Sequence, residues 1–269
     1  MERLETPFIC YKDTLSDNSL FYFFSLDLEE AAQKELLDKY IVSIYNGKKH
    51  DSTIELTKKR INHTFKTKLG NMKWLMGATA EIYIHFLMNV LDYNQECLYQ
   101  NLEENSIKKG FDGVYTASEN KIWILESKSG ANTTENISHL NKIKEAFDDL
   151  TFKLSGTSET EPNDPWENAL HHADSTTTTE DIKKKIQKLS EDYIKDIPHT
   201  ISEYNIIPCG TVFIVSENAS DDFNDVRIIK DQINDYFKDI DLKNMIVICS
   251  TQKSYKSFLD YLGVDYEEN

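Results

Sequence analysis

An aspartate, a glutamate and a lysine occur within GFDGVYTASENKIWILESKSG, the stretch from Gly110 to Gly130. Side chains alternate between the two faces of a strand, so Glu126 and Lys128 share one face of an apolar run. Asp112 opens a second short apolar run, and a hairpin turn at about 117–120 would place it opposite Glu126. The spacing predicts that these three charged side chains lie at one end of a sheet. We therefore expect that substitution of any of them leaves folding intact.

These residue types suit the cleavage of a phosphodiester with a hard metal ion. Two neighbouring carboxylates repel each other unless a positive charge lies between them. Mg²⁺ takes one or two carboxylates together with water and phosphate oxygens, and it polarises the phosphoryl group. A nearby lysine can position or deprotonate the attacking water and can stabilise the developing charge. We therefore predict that Asp112 and Glu126 bind Mg²⁺ or Mn²⁺ and that Lys128 assists catalysis.

The surrounding elements alternate between helices and strands. Strands are predicted over about 19–28, 96–101, 110–116, 121–128, 209–216 and 244–250, and helices over 28–46, 52–66, 71–93, 134–152, 180–197, 222–238 and 252–262. This order predicts an α/β sheet with covered faces. Residues 155–180 are rich in Ser, Thr, Pro and acids, which indicates a polar insertion with His171 and His172 in solvent. We expect an N-terminal α+β extension over 1–70 and a core over 71–269.

The spacing of Asp112, Glu126 and Lys128 resembles the D…(D/E)-x-K pattern of the restriction-endonuclease-like, or PD-(D/E)xK, nucleases. The resemblance implies a core of helix, three-stranded meander, helix and strand. It also implies an acid on the helix before the meander, where Glu81 lies, so that Asp112, Glu126 and Glu81 would be the metal ligands. The alternatives are a buried structural role for Glu81 and a surface ion pair for Glu126 and Lys128. Related nucleases place extra site residues on the next helix, and the candidates there are His139 and Lys142.

A narrower resemblance rests on GATAEIYIHFLM before the meander, on GFDGVY and WILESKSG, and on the chain length. In these features the sequence is similar to the HamA family, the nuclease subunits of Hachiman-type bacterial antiphage systems and relatives of the AbpA proteins. The resemblance covers about residues 5–265. It implies a metal-dependent DNase beside a HamB-like superfamily-2 helicase. The alternatives are an inert nuclease-like module that regulates a partner ATPase, and a restriction subunit or junction resolvase.

The charge distribution bears on how DNA would be bound. A formal net charge of −16 argues against tight DNA binding by the chain alone. The stretch from Leu56 to Ala80 nevertheless contains no acid and includes His63, and without it the chain has 24 basic against 46 acidic residues, or −22. A basic surface toward nucleic acid is one interpretation, and a solvated helix face is the other. The candidate contacts are Lys58, Lys59, Arg60, Lys66, Lys68 and Lys73, with Lys108 and Lys109 beside Asp112.

Hydropathy and cysteine usage point to a cytoplasmic protein. No apolar run approaches the length of about eighteen residues that a spanning helix needs, and the first residues lack the basic-then-apolar pattern of a signal peptide. We therefore expect no membrane partner. The four cysteines have no zinc-ligand spacing, and we expect buried free thiols at Cys10, Cys97, Cys209 and Cys249.

Overall fold

The computed structural model describes residues 1–99, 110–117, 121–156, 164–176, 179–197, 199–216 and 221–266. Within these ranges the chain forms a mixed α/β fold with one eight-stranded sheet, which confirms the predicted α/β class. The strands are β1 (Glu2–Arg3), β2 (Ile9–Thr14), β3 (Leu20–Ser25), β4 (Asn94–Gln95), β5 (Gly113–Thr116), β6 (Ile122–Ala131), β7 (Asn205–Phe213) and β8 (Asn244–Gln252). The α-helices are α1 (Ala31–Asn46), α2 (Ile54–Lys66), α3 (Met72–Val90), α4 (His139–Ser155), α5 (Pro165–Ser175), α6 (Glu180–Ile194), α7 (Val226–Phe237) and α8 (Lys256–Leu262).

The sheet has a parallel centre and antiparallel flanks. Its strand order is β1-β2-β3-β8-β7-β6-β5-β4, with parallel pairing from β3 through β8 and β7 to β6. Along the chain, α3 is followed by the antiparallel meander β4–β5–β6 and then by α4, β7, α7 and β8. This is the element order predicted for a restriction-endonuclease-like core. The strand expected near 96–101 is instead the short β4.

The N-terminal strands extend the same sheet. β3 pairs with the last strand, with Phe23 opposite Cys249, and β1 and β2 complete that edge in segments that were not predicted as strands. The limits of the extension stay a prediction, but its strands are hydrogen-bonded to the core. Helices α1, α2, α3 and α8 pack on one face of the sheet, and α4, α5, α6 and α7 pack on the other.

Helix α4 lies close to the sheet beside β6 and β7. Its N-cap Ser138 accepts a hydrogen bond from the backbone N–H of Asn141, and Gly156 ends the helix with φ of 70°. A Cβ at Gly210 would lie 3.1 Å from both the His139 carbonyl oxygen and the Lys142 Cβ. The missing side chain at this position of β7 therefore allows the helix to approach the strands that carry the candidate site.

The region expected to be a polar insertion contains a packed helix. In α5, Trp166 is buried and stacks on Tyr204, and its ring also meets Phe111 edge-on. His172 was predicted to be solvated, but it is buried and its Nδ1 accepts the Leu98 N–H at 2.9 Å. That expectation was wrong, because the apolar residues of the segment fall on one helix face that covers the chain leading to Asp112.

Two further expectations concern the cysteines and membranes. All four cysteines are buried and free, as predicted. In the described part of the chain, no helix combines the length and the apolar character that crossing a bilayer requires.

Candidate active site

Asp112 lies opposite Glu126, as the hairpin predicts. The β5–β6 ladder pairs Gly113 with Leu125, so the next residues in register are Asp112 and Glu126. Beyond the last backbone pair, a side chain continues the contact between the two segments, since the Oδ2 of Asp112 accepts the Ser127 N–H at 2.8 Å. Residues 118–120 of the predicted turn lie outside the described residues.

Glu126 lies in the middle of β6 and is buried. The strand continues to Ala131 in parallel pairing with β7, and Glu126 is only 1% exposed. Its Oε1 accepts from the Lys128 Nζ at 3.0 Å, and its Oε2 accepts from the Lys153 Nζ at 2.8 Å. The alternative of a surface ion pair is therefore wrong. We also expect truncation of Glu126 to affect folding, because it would deprive the buried Lys153 of this carboxylate.

Two residues of α4 that the sequence analysis missed complete this charge cluster. Lys153 is buried and also donates to the Gly110 carbonyl oxygen at 3.1 Å. Asp149 forms an ion pair with Lys128. A signal for Lys153 exists in the sequence, since it falls on the buried stripe of α4 between Leu150 and Leu154. A lysine in an apolar stripe needs a buried anion.

The carboxylates of Glu81, Asp112 and Glu126 interact electrostatically. Burial raises the pKa of Glu126, and the charge of Asp112 raises it further, whereas Lys153 and Lys128 lower it. Burial and then the charge of Glu81 raise the pKa of Asp112. Burial and then the charge of Glu126 raise the pKa of Glu81. Each carboxylate therefore disfavours the negative charge of its neighbours, which is the electrostatic setting that a cation relieves.

Lys128 is held by carboxylates on two sides. Burial lowers its pKa, but the charge of Glu126 and the hydrogen bond to Asp149 outweigh burial and raise the pKa above its ordinary value. The side chain is 28% exposed. Lys128 is therefore an ammonium cation within reach of solvent.

Glu81 reaches the site from α3 and lies beside a buried histidine. The side chain of Glu81 is 30% exposed, and its Oε1 is 3.6 Å from the Nε2 of His85, one helical turn later. The Nδ1 of His85 hydrogen-bonds the Tyr115 hydroxyl. Burial lowers the pKa of His85 to about 4, so the ring is neutral. His85 was not predicted as a site residue, although it lies one turn from Glu81 on a helix that was predicted to be buried.

Glu81, Asp112 and Glu126 line one cleft with a volume of about 1470 Å³. Small-molecule pockets measure roughly 300–1,000 Å³, so this cleft has room for a segment of a polymer. Its lining includes the three carboxylates together with Lys128, Lys153, Asp149, Lys142 and Lys73. The cleft thus brings Glu81, Asp112, Glu126 and Lys128 together, and the assignment of catalytic roles to them stays a prediction.

The predicted basic contacts occupy different surroundings. Lys73 lines the cleft, and Lys68 lies 5.9 Å from the ring centroid of Trp74 in the cleft wall. Lys58 is committed elsewhere, because it pairs with Asp38 at 3.3 Å and lies over the ring of Tyr261. Four of the predicted basic contacts are exposed and lie outside the cleft lining, namely Lys59, Arg60, Lys66 and Lys68. Lys108 and Lys109 lie outside the described residues.

The two candidates on the helix after the meander separate in the structure. His139 is buried, and its Nε2 lies 3.0 Å from the Thr251 Oγ1. It packs against β8 and does not line the cleft. Lys142 does line the cleft, and its Nζ pairs with Glu145 at 2.7 Å.

The chemistry of the donors fits a hard divalent cation, whereas their present arrangement does not form a metal centre. Glu81, Asp112 and Glu126 offer carboxylate oxygens, which Mg²⁺ and Mn²⁺ prefer. In the described ranges, however, no group of three or more His, Cys, Asp or Glu side chains is arranged to hold a metal ion. Both oxygens of Glu126 are bound by lysines. Lysine charges therefore neutralise the carboxylate that the metal would use.

Comparison with known proteins identifies the family of the chain. No curated protein matches the sequence. The family model HamA matches residues 8–262, which is nearly the full length of 269 residues. The chain therefore belongs to the HamA family, a component of Hachiman antiphage defence.

Proposed function

We propose that the protein is a metal-dependent deoxyribonuclease and the nuclease subunit of a Hachiman-type defence system. Membership of the HamA family supports the defence role. The observation that carries the nuclease role is the convergence of Asp112, Glu126 and Lys128 in one cleft on a restriction-endonuclease-like core. Two acids that could bind a metal ion and a lysine beside them suit phosphodiester hydrolysis.

Asp112, Glu126 and Glu81 would hold Mg²⁺ or Mn²⁺. When bound, the cation would supply a Lewis acid for a phosphoryl oxygen and would favour ionisation of water. Asp112 is oriented by the Ser127 N–H, and this orientation is part of the β5–β6 pairing. Lys128 offers a positive charge to the phosphate, with its position fixed by Glu126 and Asp149. Such fixed charges stabilise a transition state without reorganisation.

A partner would supply most of the affinity for DNA. At −16 the chain repels nucleic acid, and the exposed lysines near the cleft are few for tight binding at physiological salt. A HamB-like superfamily-2 helicase that already holds DNA would raise the effective concentration of a strand at the cleft. The exposed basic residues of α2 and of the turn before α3 would then contact phosphates locally, with Lys73 inside the cleft.

One observation favours a second candidate function. A site neutralised by lysines, with no three-ligand cluster among the residues that the structure describes, is also what an inert nuclease-like module would have if it only regulated a partner ATPase. Such a module would keep the charge cluster for stability. It would show no cleavage in any combination with metal and partner.

Cleavage of plasmid and linear DNA by the purified chain, with and without the helicase partner, separates these functions. We expect cleavage with Mg²⁺ and none in excess EDTA. Lys128→Met should slow it by at least about 10²-fold, as for loss of one charge that stabilises a transition state. Lys144→Met is the matched control, since Lys144 lies on α4 over the ring of Tyr236, away from the cleft lining. Full activity in EDTA would exclude the mechanism, and no cleavage even with the partner would favour the inert module.

A further inference from the structure

The two motif residues of β6 are joined to two residues of α4 by a chain of three ion pairs. Glu126 and Lys128 are two apart on a strand, and Asp149 and Lys153 are four apart on a helix, so each pair lies on one face of its element. Lys153 binds Glu126 at 2.8 Å, Lys128 binds Asp149, and Lys128 also binds Glu126 at 3.0 Å. Two acids and two lysines thus neutralise each other within the candidate site.

Lys153 contacts two parts of the candidate site. It is 5% exposed, and it holds the oxygen of Glu126 that Lys128 does not bind. Its Nζ also donates to the Gly110 carbonyl oxygen at 3.1 Å, just before Asp112 in the chain. Lys153 therefore links Glu126 of β6 to the segment that leads into Asp112.

We propose that Lys153 is a built-in counterion that occupies Glu126 in the metal-free protein and competes with the metal for its Oε2. The proposal rests on the proposed function of the site. A buried ionised carboxylate is stabilised by a cation beside it, and Lys153 is such a cation for Glu126. Because the ammonium group and a divalent metal ion compete for the same oxygen, the cost of displacing Lys153 weakens metal binding. A phosphate of bound DNA would offer the displaced ammonium a new anion, so metal binding and DNA binding would favour each other.

Titration calorimetry with Mn²⁺, in the absence of DNA, tests the competition. Lys153→Met should lower the Kd for Mn²⁺ by about tenfold or more, because the metal no longer displaces a close buried charge. Lys144→Met, on the same helix, should change the Kd less than about threefold, since Lys144 lies over the ring of Tyr236 and away from the cleft lining. Asp149→Asn should not tighten Mn²⁺ binding, because it removes a nearby negative charge and leaves Lys128 entirely to Glu126.

A measurement on the wild-type chain covers the case in which Lys153→Met does not fold. Acetylation of lysines, mapped by mass spectrometry, should label the buried Lys153 slowly without metal and faster with saturating Mn²⁺. Lys59, which is exposed, should be labelled equally under both conditions.

The outcomes separate this inference from the proposed function. If Mn²⁺ binds the wild-type chain but Lys153→Met binds it equally or more weakly, or if labelling of Lys153 does not change, the counterion role is wrong and the nuclease proposal stands. If neither protein binds Mn²⁺ and no cleavage occurs with the partner present, both proposals fail.

Discussion

Replacement of Glu126 by glutamine should destabilise the metal-free protein. The Glu126 side chain is 2% exposed and that of Lys153 is 6% exposed, so the change leaves a buried ammonium group without its carboxylate. Breaking a buried ion pair by removing one partner costs about 3–5 kcal/mol. Lys128 should add little to this cost, since its side chain is 28% exposed and keeps Asp149.

The double variant Glu126→Gln with Lys153→Met tests whether the pair is the cause. Removing both charges leaves no buried unpaired ion, and the unpaired ion is the costly result of breaking such a pair. We therefore expect the double variant to be more stable than Glu126→Gln alone, with a coupling energy toward the upper end of about 0.5–3 kcal/mol.

Urea unfolding in EDTA measures both effects. Tryptophan fluorescence and far-ultraviolet circular dichroism should give coincident transitions if unfolding is two-state. A loss of about 3–5 kcal/mol should lower the urea midpoint by about 1 M or more at an unchanged m-value. An unchanged midpoint for Glu126→Gln, or a double variant that is no more stable than the single one, would refute the view that Lys153 depends on Glu126.

Three further predictions concern other parts of the chain. Asp112→Asn should reduce Mg²⁺-dependent cleavage by at least about 10²-fold with little change in the circular dichroism spectrum, and near-normal cleavage would place the site elsewhere. Lys58→Glu should lower the melting temperature, because Lys58 pairs with Asp38. Charge reversal of the exposed Lys59, Lys68 and Lys73 should instead weaken DNA binding at about 150 mM salt and leave the melting temperature unchanged. A filter-binding assay and thermal melts measure the two effects. Lys230 lowers the pKa of Asp13, so their pair adds stability above the unfolded-state pKa of Asp13 and loses it as the pH falls through the folded value. Lys230→Met should therefore lower the free energy of unfolding at neutral pH by less than about 1 kcal/mol and not in strong acid, and an equal loss at both pH values would contradict this.

Local rules predicted the part of the site that lies on one hairpin. The face shared by Glu126 and Lys128 follows from strand alternation, and the position of Asp112 follows from counting residues on each side of the turn. Neither inference needs knowledge of distant contacts. The buried helix that carries Glu81 was predicted from its apolar character, and the cleft does contain Glu81.

The rest of the site depends on contacts between distant segments. Lys153 is 27 residues from Glu126, and only the packing of α4 on β6 decides which of its lysines meets the buried acid. The position of Glu126 in mid-strand was missed because β6 continues through polar residues, which the parallel pairing with β7 stabilises. In the same way, helix α5 was not predicted because its segment is rich in Ser, Thr and acids, although its Trp166 packs in the core.

The location of bound Mn²⁺ decides whether Asp112 and Glu126 are metal ligands. Crystals of the protein soaked in Mn²⁺ would show the ion by its anomalous scattering, and crystals of Glu126→Gln would serve as the control. We expect a peak in the cleft against Asp112 and Glu126 in the wild-type protein, and a much weaker peak or none in the variant. A protein that cleaves DNA with Mn²⁺ but binds the ion only outside this cleft, or binds it equally in Glu126→Gln, would contradict the assignment.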